Sequence, residues 1–131
     1  MTLSFKTLPQ LTPAELELMK VLWDGDGMSA REVHEHLGER MDWAYSTTRT
    51  TLERMVRKGL VDKNAFHGLH LYTAAVSRAA GLARLVRDFA RQVVETSHAP
   101  VVSLFADSGA LDEDEIAELK RLLDQVEREE A

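Results

Sequence analysis

Two helix-start signals of the same kind stand close together, and they constrain the front of this chain more than any other feature. Thr12-Pro13-Ala14-Glu15 is a capping box: the threonine side chain accepts from the amide three residues on, the glutamate side chain returns the bond, and proline takes the first helical position. Leu16, Met19, Leu22 and Trp23 then recur at helical spacing, and Asp24-Gly25-Asp26-Gly27 ends the helix. Ser29-Ala30-Arg31-Glu32 repeats the box and leads into Val33 and Leu37 on one face before Gly38. Helices this short are not stable alone, so each must lay its apolar face on a neighbour.

After Met41-Asp42-Trp43 a third helical pattern places Thr48, Leu52, Met55 and Val56 inward and ends at Lys58-Gly59, basic residues followed by a glycine stop. Asp42 and Ser46 both suit its cap. Leu60-Val61-Asp62-Lys63, a turn through Asn64 and Gly68, and Leu69-His70-Leu71-Tyr72-Thr73 then read as a β-hairpin. Three helices followed by a hairpin is the order of a winged helix-turn-helix, with the third helix in the major groove and the hairpin as the wing. The order alone leaves open a winged helix that binds protein and not DNA.

The remainder is helical. Ser77 caps a fourth helix predicted to run to Glu95, with Leu82, Leu85, Val86, Phe89, Val93 and Val94 on a wide apolar face. Pro100 restarts the chain into a short buried helix with Val101, Val102, Leu104 and Phe105. Asp112-Glu113-Asp114-Glu115 opens the last helix, whose stripe is Ile116, Leu119, Leu122, Leu123 and Val126. Two or three amphipathic helices make a poor core by themselves. The expectation is therefore a mainly α chain with a DNA-binding domain at 1–76 and a helical dimerisation domain at 77–131, in which the last stripe meets a second copy with Leu82, Val86 and Phe89 as packing partners.

Composition removes several classes of function. With no cysteine among 131 residues there is no disulfide framework, thiolate cluster or cysteine nucleophile. No apolar run approaches the length of a membrane span, and Met1-Thr2-Leu3-Ser4-Phe5-Lys6 lacks a signal peptide's pattern, which points to the cytoplasm and to no membrane insertion. There is no glycine-rich phosphate loop, nucleophile elbow or His/Glu zinc motif, so an enzyme is not expected. The formal net charge of -6 opposes nucleic-acid binding only when taken whole. Residues 1–76 hold nine Lys/Arg against ten Asp/Glu, residues 77–131 hold seven against twelve, and residues 46–63 hold five against two. A phosphate backbone responds to the local patch within a Debye length of roughly 8 Å.

The run from Asp42 to Gly59, with Trp43-Ala44-Tyr45-Ser46-Thr47-Thr48-Arg49-Thr50-Thr51-Leu52 at its centre, resembles the recognition-helix region of the penicillinase-repressor (BlaI/MecI/CopY) family. Thr12 to Trp23 is similar to that family's opening helix, and the spacing from Phe105 to Ile116 to its C-terminal segment, so the resemblance covers roughly residues 10 to 126. It implies a homodimeric repressor on an inverted-repeat operator of double-stranded DNA, released by a signal acting on the C-terminal segment. The copper-responsive branch carries a C-terminal cysteine cluster, and this chain has none. The β-lactam-responsive branch is cut at an Asn-Phe bond by a membrane sensor metalloprotease; the matching pair here is Leu104-Phe105.

On the third helix Ser46, Thr47, Arg49, Thr50, Glu53, Arg54 and Arg57 lie off the apolar stripe and are expected to face the groove or its walls. Arginine forks onto guanine O6 and N7, and threonine offers a hydroxyl and a methyl. Thr47, Arg49 and Thr50 are placed nearest the bases, with Ser46, Arg54 and Arg57 nearer phosphates. Arg54 has an alternative as the partner of an acid on the first or second helix. In the wing Lys63, His67 and His70 are candidate contacts. His67 and His70 make a weak metal pair, and His34, His36 and His98 stand isolated as structural or surface residues, so no metal or other cofactor is expected. Trp23 and Trp43 read as core aromatics.

Overall fold

The computed structural model describes residues 8–93, 95 and 97–130. Its elements run α1 (Pro13–Trp23), α2 (Ala30–Met41), α3 (Tyr45–Arg57), β1 (Val61–Phe66), β2 (Leu69–Ala74), α4 (Arg78–Gln92), α5 (His98–Ser108) and α6 (Glu113–Glu130). They form two compact units: Leu11–Ser77, and residues 8–10 with the stretch from Arg78 onward.

The first unit follows from its caps. Both boxes close: Thr12 and Glu15 exchange bonds of 2.9 and 3.2 Å, Ser29 and Glu32 bonds of 3.0 and 3.1 Å. Leu18, Met19 and Leu22 of α1, Val33 and Leu37 of α2, and Leu52 and Met55 of α3 meet in one core with Leu60, Val61 and Tyr72. Leu18 takes the central place expected of Leu16, which is half-buried. Both tryptophans pack against this core, and the Trp23 indole N–H donates to the Val76 carbonyl at 2.9 Å. Gly38 does not end α2, which continues to Met41. The third helix starts on neither expected cap: Ala44 is the N-cap without a side-chain bond, and Asp42 turns the chain at φ 55. Its end is as expected. Gly59 at φ 80 lets the amides of Gly59 and Leu60 return to the carbonyls of Val56 and Met55, a Schellman closure.

The hairpin is longer and its turn tighter than the sequence suggested. Asn64 lies inside β1 opposite Leu71, and the loop is the pair His67-Gly68, both at positive φ, as a two-residue turn matched to strand twist requires. Met28 and Tyr72 exchange backbone bonds of 3.0 and 2.8 Å, which fastens the hairpin to the residue before α2.

In the second unit Ala79, Ala83, Val86 and Ala90 of α4 pack with Val101 and Val102 of α5 and with Leu119, Leu123 and Val126 of α6. Leu122 is also buried, and Ile116 is half-buried against the core. This corrects the expected dimer stripe: Leu119, Leu122, Leu123 and Val126 are 0–1% exposed within one chain, so they present no surface to a second copy. The reason is that α4 turns its small residues inward, which lets α6 approach closely. Apart from Val86, the large apolar residues of α4 lie towards the outside, with Leu82 half-buried and Leu85 and Phe89 exposed, as is Val93 just beyond its end. The helix stops at Gln92, short of Glu95, and Val94 lies outside the described residues. The expected buried helix after Pro100 begins earlier, at His98, and only one side of it is buried: Val101 and Val102 are inside, whereas Leu104 is 67% exposed.

Glu15 is the charge that the first unit buries. Its carboxylate is 1% exposed and receives the Lys58 ammonium on both oxygens, at 2.9 and 2.7 Å, besides the Thr12 amide. Burial pushes this carboxyl up, but the bonds from Lys58 and Thr12 outweigh it and hold it below the ordinary value. Lys58→Met should therefore lower stability by about 1–3 kcal/mol at neutral pH, the cost of leaving a buried charged acceptor short of a partner. In the wild type this contribution is present above the ordinary carboxylate pKa and lost as pH falls through the depressed one. In the variant the Lys58 bonds no longer oppose burial, so Glu15 should be protonated more readily than in the wild type and the deficit should shrink as pH falls. Denaturant titrations at pH 7 and pH 4 measure both, and equal deficits would contradict this account.

Candidate nucleic-acid interface

Helix α3 has one face for each of two environments. Thr48, Thr51, Leu52 and Met55 are buried, and Thr51 satisfies its hydroxyl on the Thr47 carbonyl at 2.8 Å. The Thr48 hydroxyl bonds His34 Nδ1 at 2.8 Å, and the same imidazole meets Tyr45 edge-on, so His34 is a structural tie between α2 and α3. On the opposite face Ser46, Thr47, Arg49, Thr50, Arg54 and Arg57 are exposed, as the helical phase demands. Arg49, Arg54 and Arg57 make no salt bridge among the described residues, and the alternative pairing of Arg54 with an α1 or α2 acid does not occur.

Two grooves flank this face. One runs along α3 between Ser46, Arg49, Thr50, Glu53 and Arg57. The other lies between the hairpin and the first turns of α2 and α3, lined by Arg31, Tyr45, Arg49, Lys63, His70 and Tyr72 among others. Arg49 belongs to both. Arg31 is a residue that the sequence reading missed. It served there as the interior of a capping box, yet its guanidinium lies 4.0 Å over the Tyr45 ring, pointing its charge into the groove beside Arg49.

The hairpin is held to α3 by one carboxylate. Glu53 Oε1 accepts from the Lys63 ammonium of β1 at 2.8 Å and from the Tyr72 hydroxyl of β2 at 2.7 Å. Lys63, expected as a wing contact, is thus committed to positioning the wing. The bond from Lys63, then that from Tyr72, holds the Glu53 carboxyl below its ordinary value. Burial and the Glu53 bond push the Tyr72 phenol up to about 12. His67 sits at the tip at φ 47, edge-on to Phe66, and Phe66 and Leu69 project there as a pair across the turn. The fold separates His67 and His70 from any carboxylate cluster, and the described residues place the one grouping of metal-ligand type elsewhere, at His98, Asp124 and Glu127.

A helix pair, an exposed arginine-bearing third helix and a hairpin fastened to that helix together define a winged helix-turn-helix. Residues 11–125 match the penicillinase repressor family, and the chain belongs to that family, one of repressors and not of enzymes. It is 27% identical over 120 residues to the penicillinase repressor of Bacillus licheniformis, covering 92% of this chain and 94% of that one. With the transcriptional regulator BlaI of Mycobacterium tuberculosis it shares 32% over 123 residues, covering 92% and 87%. Among solved structures it is similar to monomeric Bacillus licheniformis BlaI in complex with the blaP half-operator, at 30% identity and a TM-score of 0.50 over 56% of this chain and 89% of that one. No helix among the described residues is long and apolar enough to cross a membrane.

The clamp on the hairpin can be read optically. The chain has two tyrosines, so in Tyr45→Phe the remaining phenol is Tyr72, which should ionise near pH 12 and not near the ordinary 10. Adding Glu53→Gln should bring it back towards 10. Because the folded value is raised, stability held below pH 10 should be lost as pH rises towards 12. Ionisation near 10 in the folded single variant would mean that the clamp is absent in solution.

Proposed function

We propose that this chain is a repressor that binds an inverted-repeat operator as a homodimer in the cytoplasm, each copy laying α3 in a major groove. The observation that carries the reading is the exposed row of Arg49, Arg54 and Arg57 beside Ser46, Thr47 and Thr50 on the face of α3 that the core leaves free. In the wing-side groove Arg31 and Arg49 supply the positive charge, and His67 and the wing tip lie where a backbone would pass. The match to the family and the likeness to a half-operator-bound BlaI support the same choice over a protein-binding winged helix.

For the second copy the support is an apolar groove in the C-terminal unit, between Leu82, Leu85, Val86 and Phe89 of α4 and Val101, Leu104 and Phe105 of α5. Phe89 is 48% exposed and faces water together with Leu85 and Leu104. A contiguous apolar surface of this sort marks an association site. The occupant proposed is the same groove of another chain, because an inverted repeat calls for a two-fold pair and a two-fold interface uses one patch twice. Release is assigned to a signal acting on this unit. The partner that the resemblance implies is a membrane sensor metalloprotease acting at Leu104-Phe105, a pair inside helix α5 that must unwind before it enters an extended active-site cleft.

Binding to a duplex from upstream of its own gene should weaken steeply as salt rises, as counterion release requires. Arg49→Ala should cost roughly 1–3 kcal/mol there and relax sequence preference, whereas Arg57→Ala should weaken operator and random duplexes alike. Salt-independent affinity would remove the DNA-binding reading in favour of protein contact. Phe89→Glu should leave the winged helix folded and yield monomers whose operator affinity falls about 10²–10⁴-fold, since the second half-site is no longer tethered. Sedimentation showing an unchanged dimer would move the interface away from this groove.

A further inference from the structure

We infer that His98, Asp124 and Glu127 form a binding site for a first-row divalent cation, fastening the first turn of α5 to α6. In sequence His98 stands alone; the fold sets it between two carboxylates that lie three residues apart on one side of α6. Its Nε2 lies 2.9 Å from Asp124 Oδ1 and its Nδ1 3.8 Å from Glu127 Oε2. One ligand atom from each of the three residues lies within 4.8 Å of the others. Donors around a tetrahedral ion at metal–ligand lengths of about 2.0–2.2 Å stand roughly 3.3 Å apart, so small side-chain rotations close this set around one ion.

The three groups are donors of the kind such a cation takes. Nε2 is hydrogen-bonded to Asp124, whereas Nδ1, at 3.8 Å from Glu127, is beyond hydrogen-bond length. The carboxylates stand at different ring nitrogens, so one of these half-exposed side chains must rotate to join the other at the ligating nitrogen, while the second nitrogen keeps its proton. His98 is buried with its ring held in place, whereas the side chains of Asp124 and Glu127 are about half exposed, which leaves solvent access and open coordination positions. A single imidazole with carboxylates suits zinc, cobalt or manganese and excludes any need for thiolate, which this chain lacks. The surplus of acidic residues from 77 onward raises the local concentration of cations. The site is independent of the DNA-binding reading.

The test uses the full chain, free of affinity tags and without DNA. Isothermal titration with Zn2+ should show one site, Co2+ should give the visible absorption of a low-coordinate N/O centre, and both ions should raise the melting temperature. Asp124→Asn and Glu127→Gln, which change half-exposed side chains and leave the core intact, should each weaken binding about 10–100-fold. His98→Gln should abolish the cobalt spectrum. Zn2+ bound equally well by the wild type and these variants would place the ion on other histidines and overturn the site. So would a wild type that binds no ion at submillimolar concentration.

Discussion

A single carboxylate decides whether helix and wing act as one surface. Glu53 stands on α3 yet holds both strands of the hairpin, through the Lys63 ammonium on β1 and the Tyr72 hydroxyl on β2. Without it the hairpin would be joined to the core through the buried Val61 and Tyr72 side chains and the Met28–Tyr72 bridge. Lys58, at the far end of the same helix, is held by Glu15 of α1. The C-terminal half of α3 is therefore tied twice, to the hairpin through its own Glu53 and to α1 through Lys58. Positions on the outer face of that half inherit its rigidity.

The same two pairs sort the basic residues. The stretch 46–63 carries five cations, and the two lysines are both engaged, Lys58 with Glu15 and Lys63 with Glu53. What remains on the outer face are the three arginines. This division has a chemical logic, because a planar guanidinium matches phosphate and guanine edges bidentately, whereas an ammonium serves well as a point charge inside the protein. An acidic chain can in this way present a local surface of the opposite sign: its surplus of negative charge lies mostly beyond residue 76.

Much of the winged helix was legible because its signals are local. Capping boxes and the Lys58-Gly59 stop depend on residues within one turn, and the structure closes each of them. The start of α3 was illegible because it rests on no side-chain cap; the left-handed turn at Asp42 sets it. The hairpin turn was started three residues too early, since Asn64 is a good turn residue by itself and only its pairing with Leu71, followed by two further pairs, shows that it lies in β1. The surroundings of Arg31 and His98 were illegible for a shared reason. They are set by Tyr45 and by Asp124, partners distant in sequence that no spacing rule connects.

Helix α4 shows how a correct periodicity can be assigned to the wrong face. Its pattern contains two stripes, one of small residues at 79, 83 and 90 joined by Val86, and one of large residues at 82, 85, 89 and 93. Hydrophobicity alone favours the large stripe for the interior. Packing favours the other, because small side chains let α6 approach the α4 backbone closely and bury Leu119, Leu123 and Val126 in the space gained. The large stripe is then left outside with Leu104 of α5. Each such side chain gains about 1.5–3 kcal/mol on full burial, a driving force that the isolated chain leaves unused. Of the residues expected to meet a second copy, the α6 stripe is used up inside the chain, whereas Leu82, Val86 and Phe89 line the groove between α4 and α5.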